Sequence, residues 1–483
     1  MKRRTAAIGA ALGPEVAQTP EMSPRAATLL LLAGLAGLAG LAGLAGLAGA
    51  ASHDPEGAPL LLSPLLAAGR GAQARELARV RGGPFPAHVA SYSGFLTVQP
   101  RFRSHLFFWF FPAQTGYPEA PVIVWLQGGP GQPSLIGVFM EVGPFLVAPD
   151  GESLEDNPHS WHRNYSLLFI DNPVGAGFSF TEDERGYARN QNQVAQGLYS
   201  AVLQFLALFP ELQQSRLYVA GESYGGKHAI SLAHYIHKGN PSANITVNLK
   251  GLLIVSGFVD PVSCLHYSDF LYQVGLVDFR QRGEMRAKEK EGRELIRRGR
   301  YHEALRLSDE VLASYMEASG MPQAENFALR HTQPWDSGAR YARLVQRADA
   351  RRALHVGALV PTLDVSLRVY HALGRDQMRS ARPWLEALLD AGYRVASFSG
   401  QLDVIVAYPL AERMYRALRF AAAEEYRRAE RRPWYVGGEL AGYCKTAGNF
   451  TEVLVRGAGH MVPLDRPGWT LAFVHRVIAE ARD

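Results

Sequence analysis

Cysteine is scarce in this chain of 483 residues, which contains only Cys264 and Cys444. Two cysteines permit at most one disulfide, and the sequence does not determine whether these two pair. The chain also lacks a C-x-x-C pair and an H-E-x-x-H motif. We therefore expect no metal centre and no cofactor.

A strong bias towards one sign of charge is also absent. The chain has 50 Lys and Arg against 45 Asp and Glu, a net charge of +5. Basic residues are denser near 280–300 and 425–432, and we interpret both stretches as solvated helix faces. A nucleic-acid partner is therefore not expected. The length and the 47% hydrophobic content allow a large core, in one domain or in several.

An apolar run near the N-terminus, Leu29 to Ala51, includes six consecutive Leu-Ala-Gly units. Arg25 precedes the run and Ala48-Gly-Ala50 fits a signal-peptidase site, so we predict a signal peptide over residues 1–51. A start at Met22 would give a leader of more ordinary length. The run is long enough to span a bilayer, so a retained anchor is the alternative. Glycine at every third residue argues against it, and we expect no stable membrane anchor.

Three N-x-[ST] sequons begin at Asn164, Asn244 and Asn449. Together with a signal peptide, they predict glycosylation and passage through the secretory pathway.

Changes in composition suggest where folded structure begins and where it is interrupted. Residues 52–86 are rich in Pro, Gly and Ala without a clear period, and we predict a loosely structured lead-in there. Residues 263–350 are charged and helix-prone without a strand pattern, and they predict an inserted helical cap, with a surface excursion without function as the alternative. The main core would then comprise residues 87–262 and 351–483.

The core has the pattern of an α/β fold. Two β-prone runs, Ser91 to Val98 and Ser104 to Phe111, predict an antiparallel hairpin at a sheet edge. Further short apolar runs have the composition of buried parallel strands, and helical segments lie between several of them. This alternation predicts a mostly parallel central sheet. The apolar runs are residues 121–126, 166–170, 217–220, 252–255, 394–398 and 453–455.

Ser223 lies in a strand–turn–helix pattern. The apolar run from Leu217 to Ala220 is followed by Gly221-Glu-Ser-Tyr-Gly225, which fits G-x-S-x-G, and helical spacing continues from Lys227 to His237. This is the nucleophile-elbow pattern of an α/β-hydrolase. The glycines are needed because a side chain beside the strained serine would collide with the strand or the helix.

A nucleophilic serine needs a base and an orienting acid, in the chain order Ser, Asp/Glu, His for an α/β-hydrolase. Asp403 and His460 each lie in a glycine-containing loop directly after a predicted strand, where catalytic residues of open α/β sheets occur. We therefore assign Asp403 as the acid and His460 as the general base. Asp260 is the rival acid, but its Asp-Pro sequence after a glycine is typical of a turn.

An oxyanion hole needs backbone N–H groups aimed at the developing negative charge. One should come from Tyr224, the residue after the nucleophile. The glycine-rich loop from Trp125 to Gly131, which follows an earlier predicted strand, is the candidate for the second.

Seven motifs occur from Trp125 to the C-terminal region: WLQGGPG from Trp125, EVGP from Glu141, NPHSW from Asn157, FIDNPVGAGFSF from Phe169, GESYGG from Gly221, SGQLD from Ser399 and GAGHMVPLDRP from Gly457. In this order they resemble the motifs of the serine carboxypeptidases, and the resemblance runs from about Ser91 to the C-terminus. The likeness is greatest to the vitellogenic-like group. It implies an α/β-hydrolase that removes C-terminal amino acids from peptides with a free C-terminus, usually best at acidic pH, in lysosomes, vacuoles or secretions.

The resemblance also implies residue roles. Gly129 joins Tyr224 as an oxyanion donor, and the substrate's terminal carboxylate is bound by Gln127, Gly128, Glu141 and Glu222. A glutamate can hydrogen-bond a carboxylate only when one of the two is protonated. Two neighbouring carboxyl groups also raise an apparent pKa. We therefore expect carboxypeptidase activity to be favoured by acid.

Two positions depart from the family pattern. Pro133 follows the glycine-rich loop and removes one N–H, so it could disturb the loop that holds Gly129. Gly225 replaces the usual alanine. Two alternatives therefore stay open. One is an esterase or acyltransferase of the same fold, and the other is a weakly active or non-catalytic homologue.

Overall fold

The structure is a computed structural model. It describes residues 57–329, 333–358, 360 and 366–479. The predicted signal peptide and residues 52–56 of the predicted lead-in lie outside the described residues.

A large sheet forms the centre of the described chain, with the order β1-β2-β6-β3-β8-β9-β10-β13-β12-β11 and with β7 paired to β2. Strands β4 and β5 form a separate antiparallel pair. The strands are β1 Tyr92–Gln99, β2 Ser104–Phe111, β3 Val122–Leu126, β4 Phe145–Val147, β5 Leu154–Asp156, β6 Ser166–Ile170, β7 Phe180–Thr181, β8 Leu217–Glu222, β9 Leu249–Val255, β10 Arg394–Gly400, β11 Arg432–Val436, β12 Glu439–Ala447 and β13 Phe450–Val455.

The six strands at the centre of the sheet are parallel to their neighbours, in the order β6, β3, β8, β9, β10, β13. They are the six runs that the sequence predicts, so this prediction is confirmed. The predicted hairpin is confirmed as well, since β1 pairs antiparallel with β2 at the sheet edge.

The central strands are apolar because both of their faces are covered. Every residue of β3 and of β6 is buried. One hydrophobic cluster packs on each side of the sheet: Val122 and Val124 belong to the first, and Ile123 and Trp125 belong to the second. Burial on both faces gives continuous apolar runs rather than alternating ones.

Helices connect the strands and cover the sheet. They are α1 Ser63–Ala67, α2 Gly71–Leu77, α3 Gln191–Leu208, α4 Gly225–Gly239, α5 Pro261–Cys264, α6 Tyr267–Gln273, α7 Phe279–Arg297, α8 Tyr301–Ser319, α9 Gln333–Gln346, α10 Ala348–Ala353, α11 Leu367–Ala372, α12 Gly374–Gln377, α13 Arg382–Asp390, α14 Tyr408–Arg416, α15 Ala423–Arg428, α16 Val462–Asp465 and α17 Pro467–Ala479.

The described part of the predicted lead-in, residues 57–86, differs from the expectation of a loosely structured segment. It contains α1 and α2, and Leu62 and Ala74 are fully buried in the core. The N–H of Leu62 donates to the carbonyl of Phe95 on β1. The segment escaped prediction because its helices are too short to show a period, and tertiary packing stabilises them.

Among its described residues, the predicted insert between 263 and 350 consists of helices joined by irregular segments, the longest described one being 320–329, and contains no strand. Helices α6, α7 and α8 enclose their own hydrophobic cluster, which includes Leu271, Val311 and Tyr315. Helix α10 runs across the predicted boundary at residue 350, and helices α11, α12 and α13 precede β10. The division into core and cap stays a prediction.

Candidate active site

Ser223 lies at the sharp turn between β8 and α4. Its φ of 58° is in the left-handed region, which a serine rarely adopts. The turn is held because the N–H of Ser223 donates to Val255 (2.9 Å) and its carbonyl accepts from Phe258 (2.9 Å). A Cβ added at Gly221 would lie 2.1 Å from the carbonyl oxygen of Gly225, so a side chain there would prevent this geometry.

Asp403 and His460 follow β10 and β13, which are adjacent parallel strands. Nδ1 of His460 lies 2.9 Å from Oδ2 of Asp403, and both residues are buried. The two loops are joined because the N–H of Leu402 donates to the carbonyl of Ala458 at 2.7 Å. The structure thus brings together the histidine and the acid that the sequence singles out.

Asp260, the rival acid, has other partners. Its Oδ2 accepts a hydrogen bond from Ser263 and lies 3.8 Å from the guanidinium of Arg382. Asp260 therefore forms its side-chain contacts at the start of α5, as its Asp-Pro sequence suggests.

Carboxylates surround His460. Burial lowers the pKa of the imidazole, but the charge of Asp403 and its hydrogen bond, with further contributions from Glu222 and Glu325, raise it to about 9. These charges favour the imidazolium, and the neutral form that a general base requires becomes more abundant as the pH rises.

The glycine-rich loop lies directly over the elbow. A Cβ added at Gly128 would lie 2.7 Å from Cβ of Ser223 and 2.8 Å from the backbone nitrogen of Tyr224. Among the described residues, neither the N–H of Gly129 nor that of Tyr224 donates to a protein acceptor. Two donors beside the serine are therefore open to a ligand, which is the arrangement that an oxyanion hole requires.

The loop around Pro133 is closed by other groups. The N–H of Gln132 donates to the carbonyl of Gly128 at 3.1 Å, and Oγ of Ser134 accepts from the N–H of Gln127 at 3.1 Å. Ser134 is in turn bound to Asp171 through its own N–H at 2.8 Å. The N–H that proline lacks is therefore not used to close this loop.

Gly225 also has a tight environment. A Cβ added there would lie 2.2 Å from the carbonyl oxygen of Leu126 at the end of β3. An alanine at this position would require β3 and the elbow to move apart.

Three of the predicted carboxylate-binding side chains meet beside the elbow. Nε2 of Gln127 donates to Oε1 of Glu222 at 2.7 Å, and Oε1 of Gln127 accepts from the indole of Trp125 at 2.8 Å. Both oxygens of Glu141 and Oε2 of Glu222 are buried without a hydrogen-bond donor among the described residues. We call Glu141 and Glu222 the carboxyl pair.

The pKa values of both carboxyl groups in this pair are raised. Burial raises the pKa of Glu141 to about 7. Burial, with the neighbouring charge of Glu141, raises the pKa of Glu222 well above its usual range. A proton shared by the pair would give the unsatisfied oxygens a partner, so the pair is suited to hold a proton or an incoming hydrogen-bonding group.

Two sets of residues near the site were missed by the sequence reasoning. Glu325 in the insert is buried, and its carbonyl accepts from the N–H of His460 at 2.6 Å. Lys227 and Asp376 lie behind the elbow. Nζ of Lys227 donates to the carbonyl of Asp376, and the hydroxyl of Tyr224 donates to the carboxylate of Asp376. No motif marks Glu325 or Asp376. A lysine directly after the elbow was a visible signal, but it resembled an ordinary helix residue.

The three sequons differ in their surroundings. Asn244 and Asn164 are exposed, and the side-chain amide of Asn164 lies 3.4 Å from the hydroxyl of Thr115. Asn449 is half-buried, and its amide donates to the carbonyls of Leu389 (2.8 Å) and Tyr393 (2.7 Å). A glycan on Asn449 would compete with these two hydrogen bonds.

Cys264 and Cys444 are both buried, and no disulfide links them. Within the described ranges, no helix is both long and apolar enough to cross a bilayer. In the same ranges, no group of three or more His, Cys, Asp or Glu residues is arranged to hold a metal ion.

Residues 82–480 match the model of the serine carboxypeptidase family. The chain belongs to this family. As a serine carboxypeptidase it is a hydrolase, and it is similar over most of its length to curated members of the family. It is 45% identical over 430 residues to the venom serine carboxypeptidase of Apis mellifera, covering 87% of this chain and 91% of that protein.

Two further relatives extend this range of organisms. The probable serine carboxypeptidase CPVL of Homo sapiens is 40% identical over 435 residues (87% of this chain, 90% of that protein). The vitellogenic carboxypeptidase of Aedes aegypti is 38% identical over 432 residues, with the same coverage of each chain. The predicted likeness to this group of serine carboxypeptidases is confirmed.

A solved structure supports the fold. The crystal structure of a prohormone-processing carboxypeptidase from Saccharomyces cerevisiae matches with a TM-score of 0.75 at 23% identity, covering 84% of this carboxypeptidase and 96% of that chain. The predicted α/β-hydrolase fold is confirmed.

Proposed function

We propose that this serine carboxypeptidase releases C-terminal amino acids through an acyl-enzyme on Ser223, with His460 as general base and Asp403 as orienting acid. The observation that carries the proposal is the 2.9 Å contact between Nδ1 of His460 and Oδ2 of Asp403, at the sheet edge where the elbow also lies. Donation from Nδ1–H to the carboxylate leaves the lone pair of Nε2 for the hydroxyl of Ser223.

The reaction then has two halves. The Oγ of Ser223 attacks the last peptide carbonyl while its proton passes to Nε2 of His460, and the oxyanion forms beside the N–H groups of Gly129 and Tyr224. The C–N bond breaks as His460 returns the proton to the leaving amino acid. Water, deprotonated by His460, hydrolyses the ester and restores Ser223.

We further propose that the substrate's terminal carboxylate binds at Gln127, Gly128 and the carboxyl pair. The buried, donor-free oxygens of Glu141 and Glu222 support this role because they need a proton or a hydrogen-bonding ligand. A protonated carboxyl donates to the substrate, whereas two ionised glutamates would repel it.

The pH dependence follows from two opposing titrations. Ionisation of the carboxyl pair near and above pH 7 weakens binding of the free acid, since burial raises the pKa of Glu141 to about 7. Protonation of His460 at low pH removes the base. We propose that KM sets the alkaline limit of activity and kcat sets the acid limit, so that acid favours binding but not the chemical step.

We also propose that the protein enters the secretory pathway and is secreted or lysosomal. The apolar leader, the exposed sequons at Asn164 and Asn244, and the similarity to a venom carboxypeptidase support this.

The test is release of free amino acid from an N-blocked dipeptide, compared with its C-terminal amide, between pH 4 and 8. We expect the free acid to be cleaved by the wild-type protein and not by Ser223→Ala. Asp403→Asn should lower kcat by about 10³- to 10⁴-fold, whereas the matched control Asp260→Asn should retain activity.

Two outcomes would contradict parts of the proposal. Equal cleavage of the amide and the free acid at every pH would keep the nucleophile but remove the role of the carboxyl pair. An active Asp403→Asn protein with an inactive, folded Asp260→Asn protein would reverse the assignment of the acid.

A further inference from the structure

A buried lysine lies directly behind the nucleophile. The side chain of Lys227 is fully buried. Its Nζ donates to three backbone carbonyls, those of Asp376 (3.2 Å), Gln377 (2.6 Å) and Arg379 (2.6 Å). We call Lys227 with these three carbonyls the lysine anchor.

The charge of Lys227 is compensated without an ion pair among the described residues. The three carbonyls lie at and just beyond the C-terminal end of α12, where backbone oxygens favour a cation. Nζ also lies 5.1 Å from the ring centre of Tyr224 and 5.3 Å from that of Phe258. All three ammonium protons therefore have acceptors, although burial lowers the pKa of Lys227 to about 8.

The side chain of Asp376 reaches the residue that follows the nucleophile. The hydroxyl of Tyr224 donates to Oδ2 of Asp376 at 3.2 Å, and Nε2 of Gln191 donates to the same hydroxyl at 3.2 Å. The N–H of Gln191 donates to Oδ1 of Asp376 at 3.3 Å. Lys227 thus holds the backbone of Asp376, and the carboxylate of Asp376 holds the phenol of Tyr224.

We propose that Asp376 and Lys227 are positioning residues that orient the backbone N–H of Tyr224 towards the reacting carbonyl. This inference rests on the proposed oxyanion role of that N–H. The phenol of Tyr224 is fixed at its far end by Asp376 and Gln191, so the Cα and the adjacent peptide have little freedom to rotate. Oxyanion stabilisation requires a donor already aimed at the developing charge.

The support of Tyr224 comes from a segment that is distant in the sequence. Tyr224 and Asp376 are separated by 152 residues, and α12 belongs to the helical region before β10. The elbow is therefore supported from behind by a segment that lies far from it in the sequence. Loss of this support should affect the transition state more than substrate binding.

The experiment compares Tyr224→Phe and Asp376→Asn with wild type. Tyr224→Phe removes only the hydroxyl and keeps the backbone N–H. The matched control is Tyr117→Phe, which removes a hydroxyl that donates to the carboxylate of Glu211. Tyr117 precedes β3 and therefore lies at the opposite end of that strand from the elbow. Three quantities are measured: kcat and KM for the N-blocked dipeptide, the rate of Ser223 labelling by an alkyl fluorophosphonate, and Tm.

We expect Tyr224→Phe and Asp376→Asn each to lower kcat and the labelling rate by about 10- to 100-fold with KM nearly unchanged. The double variant should lose no more activity than the less active of the two single variants, because both substitutions break the same hydrogen bond. Tyr117→Phe should change Tm only.

Labelling separates this inference from the proposed function. If wild type is labelled but cleaves no peptide, the proposed function fails, and the variants still test the positioning role through their labelling rates. Labelling that stays within about twofold of wild type in both folded variants would overturn the inference. So would losses that are additive in the double variant, or an equal loss in Tyr117→Phe.

Discussion

Two buried polar clusters flank Ser223, with the carboxyl pair beside it and the lysine anchor behind it. In the carboxyl pair, three of four oxygens have no donor among the described residues. In the lysine anchor, Nζ has three acceptors at 2.6–3.2 Å. Buried polar groups are normally satisfied, and unsatisfied ones cost free energy.

The difference suggests two kinds of polar cluster within one site. The satisfied cluster contributes to the structure of the elbow. Under the proposed function, the unsatisfied cluster binds a proton or a substrate carboxylate. Substitutions in the lysine anchor should therefore lower stability, whereas substitutions in the carboxyl pair should weaken substrate binding.

The largest effect should come from Lys227→Met. This change keeps the volume of the side chain but removes the Lys227 donor from three carbonyls, of which that of Asp376 still accepts from the N–H of Arg379. We expect the free energy of unfolding to fall by about 3 kcal/mol, measured by urea denaturation at pH 6. Lys238→Met, on the exposed end of the same helix, is the control. Equal stability of the two variants would show that the anchor contributes nothing to the fold.

Glu141→Gln should act on binding. Loss of a charge-assisted hydrogen bond should raise KM for the free-acid dipeptide by about 10- to 100-fold and leave KM for an ester substrate unchanged. Glu452→Gln is the matched control, because it removes another buried glutamate with an unsatisfied oxygen on β13. A similar rise for both substrates would exclude a role for Glu141 in carboxylate recognition.

The carboxyl pair should also give stability a pH dependence. Burial raises the pKa of Glu141 from 4.5 to about 7, so between these values the folded protein holds more protons than the unfolded chain. The free energy of unfolding therefore falls as the pH rises through this window, by up to about 1.4 kcal/mol per pH unit for one proton. Urea denaturation of Glu141→Gln between pH 4.5 and 7.5 should give a flatter profile than wild type, and parallel profiles would contradict this.

Glu325→Gln should have the smallest effect. Glu325 is among the carboxylates that raise the pKa of His460. Its neutralisation should move the acid limb of the kcat profile to lower pH by less than about one unit, with the alkaline limb of kcat/KM unchanged. Glu317→Gln, an exposed position in the same insert, is the comparison. A shift towards higher pH would have the wrong sign for this account.

The sequence predicted the parts of the molecule whose signal is local. Each central strand is an apolar run bounded by polar or glycine residues, and the loops that carry Ser223, Asp403 and His460 directly follow such runs. Parallel strands place their carboxyl ends at one edge, so predicting the strands also predicted that the three residues would lie near each other.

Other parts could not be predicted because their contacts join distant segments without a motif. Asp376 and Glu325 belong to helical or irregular stretches whose sequence gives no reason to place them beside the elbow or His460. Residues 57–86 were misjudged for a related reason, since α1 and α2 depend on packing against β1 rather than on a helical period.

The order of the site along the chain has a consequence during synthesis on the ribosome. The nucleophile and its helix are complete at Gly239, whereas Asp376, Asp403 and His460 are translated later. On the proposed assignment of the triad, a nascent chain that already contains Ser223 lacks its base and the support behind Tyr224. We therefore expect hydrolytic competence only when β10 and β13 join the sheet, so partly synthesised chains would not cleave peptides.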